Sequence, residues 1–449
     1  MTFPVRATPL VAPWRPPVTG RAGPATVAVV RTVAERLRAP DRLAEAVRSA
    51  SKRTDHPRSV HWRAEGLWQG SAGLAVLFSQ LDRVLPDEGW DALAHEHLTL
   101  AVDAIGRRPH LGLGLSRGLA GVAFAAGSAS RDGTRYQRLL ASLDRALVSA
   151  IPGALARLAP GPTPGVPTAR FDVISGLSGV GRYLLDRIDD PSCRRAVEDV
   201  LTGLVQLVQA GPGPLRWHTP ADLLPEGATR AAFPSGALNC GLAHGVPGPL
   251  ALLSLATSAG VEVEGQADAI AGVSEWLLRH QLEDEWGVTW PTMVPLRAAT
   301  ARPVPSRTAW CYGSPGIARS LWLAGRAVGE PRYGELATRA MDAVHRRPAA
   351  QRHIEGPTIC HGIAGLQQVT LRFAADTGAP AFVAAANTLH EQLLAAFEPA
   401  TLLGYRNLEP AGTRIDQPGL LDGAAGVVLV LVAATTAVEP RWDAALMLS

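Results

Sequence analysis

Along the chain, stretches that are apolar on nearly every side alternate with stretches that are apolar on one side only. The first kind includes Gly73-Leu-Ala-Val-Leu-Phe and Gly426-Val-Val-Leu-Val-Leu-Val, which read as helices buried all round. The second kind covers residues 27–50, 91–107, 136–158, 193–210, 263–283, 333–347 and 382–397. In the last of these Leu389, Leu393 and Phe397 fall on one face while His390, Glu391 and Gln392 fall largely off it, a spacing near the helical period. The pattern predicts seven buried helices, each partnered by a half-exposed one.

One repeat organises this alternation. Each buried stretch follows a Gly-x-x-Gly: Gly70/Gly73, Gly118/Gly121, Gly176/Gly179, Gly245/Gly248, Gly313/Gly316, Gly362/Gly365 and Gly423/Gly426. Successive first glycines lie 48 to 69 residues apart, which is room for two helices and two loops. An inner ring covered by an outer ring satisfies the two burial patterns, so the expected fold is all-α, an α,α-toroid with seven inner and seven outer helices. Glycine at each inner helix start permits a tight entry turn and close backbone approach. If the inner helices run the same way, their N-termini converge on one rim, where their dipoles favour anions. Proline- and glycine-rich segments at 152–167, 211–236 and 291–305 predict loops. Residues 1–25 read as an irregular N-terminal arm, and 26–449 as a single toroid domain.

The 449 residues are 47% hydrophobic and 18% charged, which makes the chain globular. Forty-three basic against forty acidic residues give a net charge of +3, without the dense basic field of a nucleic-acid partner. Four cysteines are too few for a disulfide scaffold and point to a reducing, cytoplasmic setting. Residues 1–19 lack the apolar run of a signal peptide. The most apolar stretch, 424–438, is shorter than the roughly 20 residues of a spanning helix, which predicts no membrane insertion.

The residue just before each glycine pair is Gln69, Arg117, Ser175, His244, Tyr312, His361 and Asp422 in turn. A helix N-cap preference accounts for Ser175 and Asp422, but not for His244, Tyr312 or His361. Two repeats add a cysteine, in Trp310-Cys311-Tyr312-Gly313 and Ile359-Cys360-His361-Gly362. Cys311, Cys360 and His361 form a Cys2His set, the ligand number and type of a catalytic zinc site that keeps a fourth position open. The alternative is that both cysteines are buried small hydrophobes, against which the Cys-His pair and the second Cys at the same repeat position speak. Thiolate is the ligand form, and helix N-termini plus the metal lower the thiol pKa. Cys193 reads as packing. Cys240, four residues before His244, reads as structural, with a metal-proximal thiol as the alternative. By residue type alone Asp172 and Arg307 are ordinary cap or salt-bridge groups.

Five strings together resemble the lanthionine synthetase C-like family, the cyclases of class I lanthipeptide biosynthesis. They are Phe171-Asp-Val-Ile-Ser-Gly-Leu-Ser-Gly, Phe233-Pro-Ser-Gly-Ala-Leu-Asn-Cys-Gly-Leu-Ala-His-Gly, Arg307-Thr-Ala-Trp-Cys-Tyr-Gly-Ser-Pro-Gly, Ile359-Cys-His-Gly-Ile-Ala-Gly and Gly419-Leu-Leu-Asp-Gly-Ala-Ala-Gly. The resemblance spans about residues 62–447. It implies a seven-fold α,α-toroid with one zinc per chain on Cys311, Cys360 and His361. It also implies a precursor peptide whose Ser and Thr a partner dehydratase has dehydrated, with an exporter as a further partner. The implied reaction adds a peptide Cys thiol to dehydroalanine or dehydrobutyrine, closing a thioether ring.

The resemblance places His244, Asp172, Arg307 and Tyr312 at the active site and leaves their division of labour open. An imidazole can act as acid or base, which suits His244, with Asp172 as assisting base or orienting partner. Arg307 would stabilise enolate charge or hold Asp172, Tyr312 would donate a hydrogen bond, and Trp310 reads as a wall of the substrate pocket. Alternatives are addition of another thiol such as glutathione, isoprenoid transfer, and a non-catalytic peptide-binding scaffold. Isoprenoid transfer would be expected to need a basic diphosphate cluster and an Asp, Cys and His ligand set. Pro247 and Pro249, around Gly248, sit in a first helical turn or else kink the helix.

Overall fold

The computed structural model describes residues 14–18, 22–57, 62–108, 111–159, 165–209, 215–297, 304–354 and 356–449. Its first helices in chain order are α1 (Ala22–Arg38), α2 (Pro40–Arg53), α3 (Ser71–Val84), α4 (Trp90–Gly106), α5 (Leu119–Ser128), α6 (Gln137–Ala156), α7 (Leu177–Leu185) and α8 (Pro191–Val208). There follow α9 (Ala228–Ala232), α10 (Pro247–Ser258), α11 (Gln266–Arg279), α12 (Ser314–Val328), α13 (Pro331–Arg346), α14 (Ile363–Thr377), α15 (Pro380–Ala395) and α16 (Ala424–Thr435). Helices α3, α5, α7, α10, α12, α14 and α16 each touch the next in this order, and α16 packs on α3, which closes the ring. Each is backed by an outer helix: α4 on α3, α6 on α5, α8 on α7, α11 on α10, α13 on α12, α15 on α14, and α1 on α16. The fold is the expected α,α-toroid.

Burial follows the sequence pattern. Residues 424–434 of α16 are all buried, as are 71–81 of α3. At about 1.5–3 kcal/mol for each large aliphatic side chain removed from water, the Val427–Val432 run alone is a major anchor of the ring. Outer helices such as α13 bury one face, through Tyr333, Leu336, Ala337, Ala340 and Val344.

Several boundaries depart from expectation. The 27–50 stretch is two helices, because Pro40 has no N–H to continue α1 and instead opens α2 in its first turn. Helix α1 starts at Ala22, inside the expected arm, and Trp14 and Val18 are buried, bonding Ala433 O and Ala434 O of α16. The rest of the arm, residues 1–13 and 19–21, lies outside the described residues. Pro152, expected in a loop, lies inside α6 on its exposed side. Pro247 and Pro249 both fall in the first turn of α10, so no kink is needed. Short antiparallel pairs decorate the rings: β1 (Ala237–Asn239) pairs with β4 (Met293–Pro295), β2 (Leu282–Asp284) with β3 (Gly287–Thr289), and β5 (Arg406–Leu408) with β6 (Arg414–Asp416). Helix α6 is long and apolar enough by composition to cross a membrane, but it carries Arg138, Asp144 and Arg145 and packs on α5 and α8 as an outer helix.

A C-terminal segment lies within the inner ring. Arg372 of α14 grips Asp443 through two 2.7 Å bonds, Arg319 of α12 donates to Leu448 O, and Arg182 of α7 donates to Ser449 O. A short 3-10 turn at Arg441–Leu446 also touches α5 and α7.

Candidate metal centre on the toroid rim

The glycine pairs have a structural task. The first glycine is the N-cap of six inner helices, and at Gly313 it takes a φ of +118°, which only glycine adopts without strain. The second sits one turn in, where the chain folds back on its own entry loop. A Cβ on Gly365 would lie 1.9 Å from Ile359 O.

The seven entry loops are tied into a closed belt by main-chain hydrogen bonds. Leu67 N donates to Ser116 O, Ser116 N to Ile174 O, Val173 N to Ala243 O, and Ala243 N to Cys311 O. Cys311 N then donates to Cys360 O, Cys360 N to Leu421 O, and Leu421 N to Trp68 O, all at 2.9–3.3 Å. Every acceptor stands two residues before its glycine pair. Cys311 and Cys360 occupy that position in adjacent repeats, so the belt itself brings the two cysteines together.

The ligand atoms of Cys311, Cys360 and His361 lie within 4.8 Å of one another. In a tetrahedral zinc site, ligand atoms stand about 3.5–3.8 Å apart, so a small inward adjustment closes the set on an ion. The donor chemistry fits zinc. Hydrogen bonds from Cys360 and then His361 bring the Cys311 thiol down to about 6 against the opposing effect of burial, and the Arg307 charge helps. Cys360 is pushed up because it supplies the hydrogen bond to Cys311, and burial adds to this. His361 is raised, first by its bond to Cys311. The shared hydrogen bond thus favours the thiolate form at Cys311, the form in which a cysteine ligates a metal.

Beside the cluster stands a histidine–carboxylate dyad. Asp172 is buried, and its Oδ1 accepts from Ser175 N at 2.7 Å and Gly176 N at 2.8 Å. Its Oδ2 pairs with His244 Nδ1 at 2.6 Å. Both carboxylate oxygens are therefore engaged, and Nε2 of the partly exposed imidazole is left for chemistry. The ring of Tyr312 is 6.2 Å from that of His244, centroid to centroid. Burial pushes the Tyr312 phenol up to about 12, so it is a proton donor near neutrality. Asn239 Oδ1 accepts from Gly241 N, which turns its amide nitrogen toward Tyr312 Oη at 3.3 Å. An amide nitrogen can only donate, so the Tyr312 O–H is free to point elsewhere.

The expected residues separate into those the structure gathers and those it does not. Cys311, Cys360, His361, His244, Asp172 and Tyr312 share one part of the rim. Arg307 is exposed on the loop ahead of α12, near enough for its charge to favour both thiolates; among the described residues, the ion pair of Asp172 is with His244. Trp310, expected as a pocket wall, is instead wholly buried, its indole N–H donating to Leu446 O of the C-terminal segment at 3.0 Å. Ser175 and Asp422 do not cap their helices, because Gly176 and Gly423 hold the N-cap positions. Asp422, which reads from sequence as a cap, faces the metal cluster, and Asn239, which carries no signal in the sequence, sits behind Tyr312. Asp422 was readable from its place in the same register as His361. Cys240 and Cys193 stand outside the cluster, their thiols pushed up by burial to about 12 and about 11. A cavity of about 520 Å³ between α3, α5, α7 and the C-terminal segment contains none of the expected site residues.

Comparison with known proteins bears on the family and the fold. A family model described as lanthionine synthetase C-like protein matches residues 61–447. The nisin biosynthesis protein NisC of Lactococcus lactis subsp. lactis is 25% identical over 325 residues, covering 71% of this chain and 72% of that protein. The solved structure of nisin cyclase matches with a TM-score of 0.73 at 22% identity, over 90% of this chain and 97% of that one.

Proposed function

This chain belongs to the lanthionine synthetase C-like family, and from that premise we propose that it is a zinc-dependent cyclase of a dehydrated precursor peptide. The reaction adds a peptide Cys thiol across the double bond of dehydroalanine or dehydrobutyrine. Sulfur bonds to the β-carbon, the π pair moves to Cα and the carbonyl as an enolate, and a proton returns to Cα. No atoms are gained or lost. The observation that carries this reading is the Cys2His cluster on the same rim as a histidine–carboxylate dyad and a tyrosine donor.

Zinc, when bound by Cys311, Cys360 and His361, supplies the acidification and positioning of the substrate thiol. The chain's own groups supply the proton traffic. With Asp172 holding Nδ1–H, His244 offers Nε2 as the base that receives the thiol proton, and the same nitrogen can return it to Cα. Asp172 orients and stabilises the imidazolium rather than acting as a base. The Tyr312 O–H donates to the enolate oxygen, and Arg307 adds positive charge at the mouth. The reaction needs peptide Ser and Thr already dehydrated, so a dehydratase must act first.

The test uses zinc-loaded protein and a synthetic peptide carrying one Cys and one dehydroalanine. Cyclisation is expected to remove the free thiol, read by alkylation, with no change in peptide mass, and His244→Asn should slow it strongly. A peptide that keeps its thiol but gains a glutathione when that thiol is supplied would transfer the reading to the other thiol. No reaction by a fully zinc-loaded protein with any dehydrated peptide would favour a scaffold.

A further inference from the structure

One polar pair at the metal centre has no part in the proton traffic above. Gln69 and Asp422 stand at the first and last of the seven equivalent rim positions, and the closed ring makes them neighbours. Gln69 Nε2 donates to Asp422 Oδ2 at 3.1 Å. Asp422 Oδ1 is buried and has no hydrogen-bond partner among the described residues. The carboxylate interacts with the Cys360 thiol and with the charge of His361, yet it lies outside the group of three ligand atoms. A buried acceptor without a donor is costly, so the working form of the site should supply one. Once both cysteines ligate a metal as thiolates they have no S–H to give. Among the described residues acting on this carboxylate beside Gln69, the donor that remains is the imidazole of His361.

We propose that Asp422, braced by Gln69, is the positioning residue of the metal centre: its Oδ1 receives the N–H that His361 turns away from the ion. Such a bond fixes the tautomer and ring angle with which the other nitrogen ligates. The inference rests on the zinc reading above and deepens it.

The experiment measures zinc dissociation constants by chelator competition on the full chain, wild type beside Asp422→Asn, Asp422→Glu and Gln69→Leu, each checked for a wild-type melting curve. Asp422→Asn should weaken zinc about 10–100-fold and move the ring ¹⁵N resonances of His361 in the zinc-loaded protein. Asp422→Glu should recover most of the affinity, and Gln69→Leu should lose several-fold. If Asp422→Asn does not fold, Gln69→Leu decides alone. Zinc affinity within twofold of wild type in the folded variants would overturn the proposal. So would a cobalt-substituted Asp422→Asn whose visible spectrum reports a different coordination number, since Asp422 would then be a ligand. A wild-type chain that binds no zinc would sink the zinc reading, and this inference with it.

Discussion

Replacing Gly365 with alanine should empty the metal site while leaving the toroid folded. The added Cβ would lie 1.9 Å from Ile359 O and 2.9 Å from Ile359 C, where contacts under 3.0 Å essentially never occur. Helix α14 is buried between its neighbours, so the entry loop must give, by roughly 1.1 Å. That loop continues directly into Cys360 and His361, two of the three ligands. Finished zinc–ligand distances hold to within about 0.2 Å, so binding must pull the displaced pair back against the new clash, at a cost in zinc affinity. The general cost of such overpacking is about 1–3 kcal/mol, a modest loss for a ring of this size. Gly121→Ala is the matched control, with the same clash against Leu115 O at 2.1 Å in a repeat that carries no ligand. Zinc affinity by chelator competition and melting temperature are measured on both. The two variants should lose similar stability, and only Gly365→Ala should lose zinc binding, by at least tenfold. Zinc affinity within twofold of wild type in Gly365→Ala would refute the reasoning, as would an equal loss in both.

Asp172→Asn should keep zinc and slow cyclisation by about 10²–10⁴-fold, the usual range for a positioned acid–base group. The asparagine oxygen would stay with Ser175 N and Gly176 N and its amide would face His244 Nδ1, forcing the proton onto Nε2; single-turnover rates within threefold of wild type would contradict this. Stability should also fall in mild acid. Burial lowers His97, His345 and His390 to about 4, so between an unfolded value near 6.5 and that point the unfolded chain binds more protons, and stability present above about pH 6.5 is lost as pH falls. Melting temperatures of metal-free protein from pH 7.5 to 4.5 test this, and a flat profile would exclude it.

The ring was legible because its cause is local. Each Gly-x-x-Gly answers a close approach between a helix and its own entry loop, as at Gly365 and Ile359 O, and such demands mark the sequence. The Cys2His set was legible because equivalent register in a repeat becomes adjacency in a closed ring. Asp422 was misread because an acidic residue before a helix resembles a cap, whereas the cap falls one residue later on a glycine that needs no side chain. The burial of Trp310 depends on Leu446, more than a hundred residues away, and nothing near Trp310 announces that partner. Main-chain bonds such as Cys311 N to Cys360 O leave no signature in residue identity.

That last fact bears on what the rim can become. Since every link of the belt joins backbone atoms, the side chain one residue on is a fitting mounted on a frame that does not depend on it. His244, Tyr312 and His361 occupy three consecutive mounts, and Asp422 the next. Ser175, exposed beside the His244–Asp172 dyad, occupies another that the chemistry leaves idle. The toroid is thus a seven-position holder whose reagents can be exchanged one at a time, and Ser175 is the position at which a new functional group can be fitted to the same mouth.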